Sequence, residues 1–290
     1  LGHNANVAWA MTTGGPDTAD VYELQLNPED PSKYRYDGQW RNLTRRQVTV
    51  TVKGAGMQKL TLWASHHGPI VALRQGKAYA AKMSYADTVR IYEVWHEFHL
   101  ARDYRGVMAG LNLRQLFPQN IMVADRSGNI YYQRTGRVPK RPAGYDWSKP
   151  VDGSTSATEW QGLHPASDHV QVLNPAQGYM QNCNIPPDVM MKNSPFAPDK
   201  TLSYVYGTSG GYTNQRGARA VHLLDADASV TVEEARAYAL DVHPYGVERW
   251  LEVLKQAHTR CADAYQDDDN YCVGIKDLLA WDGDLRHDSS

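Results

Sequence analysis

Polar and apolar residues alternate along Gln47-Val48-Thr49-Val50-Thr51-Val52, the period of two expected of a strand with one wet face. Runs of β-forming residues on either side are divided by hairpin punctuation at Asp37-Gly38, Gly54-Ala55-Gly56, Gln75-Gly76 and Ser127-Gly128. Residues 1–140 therefore read mainly as antiparallel strands. The period lengthens once, over about 88–113, where Val89, Tyr92, Val94, Trp95, Phe98 and Leu100 mark the apolar side of a helical insertion. Strands resume at Asn120–Asp125 and Asn129–Gln133. Residues 141–212 read as an irregular connection rich in Pro, Gly, Ser and Trp, followed by core strands at Gly178–Asn182 and Leu202–Tyr206. Residues 213–290 read as helical. Thr231-Val232-Glu233-Glu234 is a capping box, and Val247, Trp250, Leu251 and Leu254 are spaced as a packed helix face. Hairpins followed by a run of helices predict an α+β layered domain and not a βαβ fold.

Composition narrows the function classes. The chain of 290 residues is long enough for a sizeable core, and its formal net charge of -2 comes with no basic run, so a nucleic-acid footprint is not expected. No apolar stretch approaches a membrane span. Eighteen Tyr and eight Trp against three Phe predict aromatics at half-wet positions, as in a secreted, groove-bearing protein. Cys261 and Cys272 flank a polar loop. In an oxidising compartment the pair would close it as a disulfide, stabilising by roughly 2–4 kcal/mol; the alternative is two unrelated thiols.

Several local motifs invite chemistry and are better read plainly. Gly207-Thr208-Ser209-Gly210-Gly211 fits G-x-S-x-G, and Leu202–Tyr206 would supply the strand of a nucleophile elbow at Ser209. Yet the next helix is delayed and only helices follow, so a Gly-rich loop is the better reading. His96-Glu97-Phe98-His99 is one residue short of a zinc motif. His66 and His67, adjacent on an expected strand, point to opposite faces and do not chelate one ion. Asp267-Asp268-Asp269 lacks the Gly and distal Glu of a calcium loop. Nothing signals a base for Cys183.

The first segment, Gly2-His3-Asn4 through Val21-Tyr22, reads as strand, Gly-rich turn and strand, with Asp17 and Asp20 just past the turn. His67-Gly68-Pro69-Ile70-Val71, Ala124-Asp125-Arg126-Ser127-Gly128-Asn129-Ile130-Tyr131-Tyr132, Gly136, Trp160-Gln161-Gly162-Leu163, Asn174-Pro175 with Gly178-Tyr179, Asn182-Cys183-Asn184 and Trp281-Asp282-Gly283 follow in order. In that order over nearly the whole chain, these pieces resemble the penicillin amidase family of N-terminal-nucleophile hydrolases, as part of the large chain. The resemblance implies a four-layer αββα sandwich, here incomplete at both ends, with two stacked antiparallel sheets between helix layers. It implies hydrolysis of a small amide (penicillin-type, acyl-homoserine lactone or acylated peptide) through an acyl-enzyme. The nucleophile would be a Ser, Thr or Cys exposed by autocatalytic cutting of a precursor, with its own α-amine as base. It would lie upstream of Gly2, since Leu1 has no nucleophilic atom, so these residues alone are expected to be inactive. A small chain from the same precursor would be the partner, and the compartment periplasmic or secreted.

The resemblance also assigns roles. The backbone N–H of Thr13 and the side chain of Asn184 match the oxyanion donors, and Arg216 matches a basic residue near the amine. Asp17, the carbonyl of Ala19, Asp20 and the carbonyl of Trp147 match ligands of a structural calcium, for which oxygen donors are suited. The family's later carboxylate falls near Asn193–Ser194, where there is none. By themselves Asp17 and Asp20 read as turn residues. The rival class is a non-catalytic secreted binding or scaffold protein of the same fold.

Overall fold

A computed structural model describes the backbone of residues 1–264 and 270–289 and the side chains of residues 1–260 and 272–289. It forms two compact units, one of residues 1–174 and 199–208, the other of 175–198 and 209–290.

In the first unit, β1 (Gly2–His3), β2 (Val7–Thr13), β10 (Gln119–Asp125), β11 (Ile130–Arg134) and β13 (Gln171–Leu173) form an antiparallel sheet in the order β1-β2-β10-β11-β13. Alternation sends Val7, Trp9, Ile121, Val123 and Tyr131 to one face, where they meet α1 (Ile91–Leu100) and α2 (Tyr104–Asn112). This is the helical insertion the periodicity predicts, resolved into two helices. Phe98 is fully buried and sits edge-on to Trp9 at 5.6 Å. Each such side chain contributes about 1.5–3 kcal/mol by leaving water. Gly110 of α2 permits the contact, since a Cβ there would lie 3.0 Å from the Phe98 ring. Asn4 ties the sheet to the end of α1, its Nδ2 donating to the Ala101 carbonyl at 2.9 Å while its Oδ1 accepts from Asn6 and Val7.

The second sheet runs β12-β3-β9-β8-β7-β6, built from β3 (Ala19–Gln25), β6 (Thr44–Val52), β7 (Gly56–Ser65), β8 (Gly68–Arg74), β9 (Lys77–Met83) and β12 (Val151–Asp152). Register sets large against small, with Tyr22 opposite Ala80 and Leu24 opposite Ala78. The hairpin of β4 (Lys33–Tyr36) and β5 (Gln39–Asn42) lays Tyr34 and Tyr36 on this core beside Val151 and Trp147. The alternating strand β6 departs from expectation, because neither of its faces is buried. Its hairpin partner β7 pairs with β8 only at Ala64 and Ser65, so most of β6–β7 projects as an arm beyond the sheet.

The second unit carries α4 (Gln215–Ala226), α5 (Val232–Ala239), α6 (Val247–Ala264) and α7 (Asn270–Ala280), the helical run expected. The capping box at Thr231 is formed in full, with Glu234 reaching back to it. On α6, Val247 is buried and Leu251 and Leu254 half-buried, but Trp250 is 65 % exposed. The strand expected at Gly178–Asn182 is absent. Gly178 takes φ 74°, and the flanking Pro175, Pro186 and Pro187 lack the N–H groups a ladder needs. Cys183 is free and Cys272 is disulfide-bonded; the side chain of its expected partner, Cys261, and the whole of Asp267–Asp269 lie outside the described residues. Among the described residues no helix is long and apolar enough to cross a membrane.

Candidate functional site

The end of β2 is a point of close backbone approach. After Thr13, Gly14 donates its N–H to the Pro118 carbonyl at 3.0 Å, and Asp17 donates to Tyr204 at 2.8 Å. A Cβ on Gly15 would lie 2.1 Å from the Gly207 carbonyl oxygen, and one on Gly207 would lie 2.1 Å from the Gly15 carbonyl carbon. Gly207, at φ 72°, ends α3 (Ser203–Tyr206) in the left-handed conformation. That element corrects the strand expected at Leu202–Tyr206. A helical turn capped by glycine suits a segment too short for a distinctive period, and the elbow geometry at Ser209 lacks its strand.

Beneath the turn lies a buried polar network that sequence reasoning missed. Asn120 Nδ2 donates to the Thr13 carbonyl at 2.8 Å and to Thr12 Oγ1 at 3.0 Å, while its Oδ1 accepts from Tyr132 Oη at 2.7 Å and Arg134 Nε at 3.1 Å. Arg134 is 1 % exposed, and its Nη1 donates to the Tyr206 carbonyl and to Thr208 Oγ1. Burial pushes the Tyr132 phenol upward, so it stays a neutral donor. Thr13 itself is exposed, with its carbonyl fixed from below. An Asn and an Arg that meet only as cross-strand partners carry no periodic signal to betray such a network.

Asp17, Ala19 and Asp20 do come together, around Arg141. The guanidinium contacts Asp20 Oδ2 from Nε at 2.8 Å, and from Nη2 it contacts Asp17 Oδ2 at 3.0 Å and the Ala19 carbonyl at 3.3 Å. Trp160 Nε1 donates to Asp20 Oδ2 at 2.7 Å. Burial raises the Asp20 carboxyl above the usual range, against the pull of Arg141 and Trp160. Trp147 enters through its ring, 5.7 Å from the Arg141 guanidinium carbon, while its indole N–H donates to the Pro142 carbonyl. Arg141 already neutralises both carboxylates and holds the Ala19 oxygen. A calcium ion on these oxygens would sit beside the buried guanidinium and be repelled by its fixed positive charge, so the set as arranged does not fit that ion.

A second cluster surrounds Glu159. His66 and His67 are the central residues of the β7–β8 turn, not strand residues, and their rings lie side by side with centroids 3.9 Å apart. The expectation that they diverge fails because a turn abolishes the strict alternation of a strand. Glu159 Oε1 lies 2.9 Å from His66 Nε2 and 3.4 Å from His67 Nδ1, and Oε2 accepts from Lys82 at 2.6 Å. These partners, His66 first, hold the Glu159 carboxyl down at about 2, and burial holds the His67 imidazole down at about 4. His96 and His99 form no such group; His99 Nδ1 bonds the Trp95 carbonyl of its own helix.

In the second unit, Asn184 takes φ 62°, a left-handed conformation that Asn tolerates better than most residues. Its backbone N–H is held by Asn182 Oδ1 at 3.0 Å. Arg216, in the first turn of α4, donates from Nη2 to Asn184 Oδ1 at 3.1 Å and to the Cys183 carbonyl at 3.2 Å. Asn214 caps α4 and also donates to that carbonyl at 2.8 Å. Arg216 thus claims the acceptor end of the Asn184 amide, so the other end, Nδ2, can only donate. Cys183 and Arg216 line a cavity of about 700 Å³ whose walls include Ala220, Leu223, Val242 and Tyr245.

The comparisons with known proteins point to one family. The family model of penicillin amidase matches residues 1–290. Penicillin G acylase of Escherichia coli is 32% identical over 190 residues, which is 64% of this chain and 22% of that protein. The acyl-homoserine lactone acylase PvdQ of Pseudomonas putida is 25% identical over all of this chain and 40% of its own length. Among solved structures, the thermostable penicillin G acylase from Alcaligenes faecalis superposes with a TM-score of 0.75 at 27% identity, covering 98% of this chain and 49% of that one. The chain thus spans less than half the length of these relatives. With its α+β arrangement and the N-terminal-nucleophile hydrolase fold of that structural neighbour, the chain belongs to the penicillin amidase family.

Proposed function

We propose that this chain forms part of the large chain of an amidohydrolase that removes the acyl group from a small amide. The substrate would be a penicillin-type amide, an acyl-homoserine lactone or an acylated peptide. A terminal Ser, Thr or Cys outside these 290 residues attacks the carbonyl, and its α-amine takes the proton. Asn184 Nδ2 and the backbone N–H of Thr13 donate to the oxyanion, and Arg216 positions the amide and adds positive charge. No step passes through calcium. The observation that carries this reading is the capture of Asn184 Oδ1 by Arg216 at 3.1 Å, which commits the other end of the amide to donation. A donor fixed before the charge develops stabilises the transition state without reorganising. The partner would be the small chain cut from the same precursor. The disulfide at Cys272 supports a periplasmic or secreted location.

The test is steady-state hydrolysis of a phenylacetyl and a long-chain acyl amide by the full-length processed protein and its Asn184→Ala variant. Loss of one such donor is expected to lower kcat about 100- to 1,000-fold while binding changes little. Activity within threefold of wild type in a correctly cut Asn184→Ala protein would remove Asn184 from the oxyanion site.

A further inference from the structure

The group at the β7–β8 turn has a feature that hydrogen bonding leaves unresolved. His67 Nε2 faces the Gly153 carbonyl at 3.1 Å, and a carbonyl only accepts, so this nitrogen carries the ring proton. The other nitrogen, Nδ1, then presents a lone pair. It is buried in a side chain with no exposure and makes no hydrogen bond. What it faces is Glu159 Oε1, at 3.4 Å, which also bears lone pairs. Two electron-rich atoms so placed repel one another, and a cation between them would turn that repulsion into attraction.

The remaining geometry matches a metal ion. His66 Nε2 lies 2.9 Å from the same Oε1, and the three ligand atoms all fall within 4.8 Å of one another. Ligands bound tetrahedrally at about 2.0–2.1 Å stand about 3.3 Å apart, so the widest pair would have to close by at most about 1.5 Å. Both imidazoles have the outer partners that orient metal-bound histidines: Tyr34 Oη on His66 Nδ1 at 2.6 Å, and the Gly153 carbonyl on His67 Nε2. Lys82 holds the opposite oxygen, Oε2, at 2.6 Å, and Tyr36 Oη donates to Oε1 at 3.3 Å. His66 is 30% exposed in its side chain, so the group is open to solvent on that side.

We propose that His66, His67 and Glu159 bind one transition-metal dication, with Zn²⁺ the natural occupant, clamping the β7–β8 turn to the segment after β12. Two imidazoles and a carboxylate favour such an ion over calcium, which takes oxygen ligands alone.

The experiment is calorimetric titration of Zn²⁺ into metal-stripped full-length protein, with Co²⁺ substitution read in the visible spectrum. One equivalent per chain is expected, with visible absorption typical of a low-coordinate cobalt site. His66→Gln and Glu159→Gln should abolish that equivalent, and Tyr34→Phe should weaken it about 10- to 100-fold. His66 is partly exposed, and circular dichroism verifies that its variant is folded. Absence of a saturable equivalent in the wild type, or unchanged binding in both folded variants, would overturn the proposal.

Discussion

The buried imidazole of His67 makes a definite demand on the pH dependence of stability. Its folded-state value is held at about 4, against 6.5 for a free imidazole, chiefly by burial. Between those values the unfolded chain binds a proton that the folded chain refuses. Stability from this group is therefore complete above about pH 6.5 and lost as pH falls toward 4. Over the step from pH 8 to pH 5, at 1.36 kcal/mol per unit, the loss is about 2 kcal/mol. Glu159 adds almost nothing there, because its own window lies below 4.5, on the way to about 2. His67→Phe removes the titration and keeps a ring that can stack on Tyr22, whose centroid lies 3.9 Å away. The unpaired Gly153 carbonyl costs the variant equally at both pH values and cancels. Urea unfolding of metal-free wild type and variant at pH 8 and pH 5 measures the difference, provided m is unchanged. Wild type should lose about 2 kcal/mol more than His67→Phe across this step. Equal losses, or a His67 imidazole titrating near 6.5 by NMR, would refute the reasoning.

Other sites give sharper contrasts. Gly207→Ala combines a left-handed residue, about 1–2 kcal/mol, with overlap against the Gly15 backbone, so thermal melting should show a marked drop; an unchanged Tm would disprove the close approach. Arg141→Met leaves Asp20, whose side chain is 2% exposed, without its cation and should cost about 3–5 kcal/mol in denaturant unfolding. In the wild type, where Arg141 is in place, added Ca²⁺ should leave the unfolding free energy unchanged; a saturable gain would mean that the carboxylates accept the ion beside the guanidinium. Ile121→Ala in the helix-backed core should cost about 2–5 kcal/mol, whereas Val50→Thr on the projecting arm should stay within about 0.5 kcal/mol. A large effect at Val50 would mean that the arm is covered.

Features whose physics is local were legible in the chain. The hairpin between β10 and β11 was readable because Asp125 accepts from the backbone of Ser127 and Asn129 within the same few residues. The capping box at Thr231 and the helical insertion near 88–113 were readable for the same reason, and the ordered family motifs carried the fold class with them. What failed was decided by partners far along the chain. Asp17 and Asp20 could be picked out as a pair, but not that Arg141, more than a hundred residues later, would neutralise them. The alternation of β6 was correct as a strand signal but silent about burial, since the extent of β7–β8 pairing determines what covers it. His66 and His67 looked divergent until a turn placed both imidazoles beside Glu159. The sequence by itself determined the family, most element types and the turn chemistry, because these depend on residues a few positions apart. Tertiary structure alone decided which buried charges meet, because a charge out of water takes whatever partner chain folding delivers, at any separation in sequence.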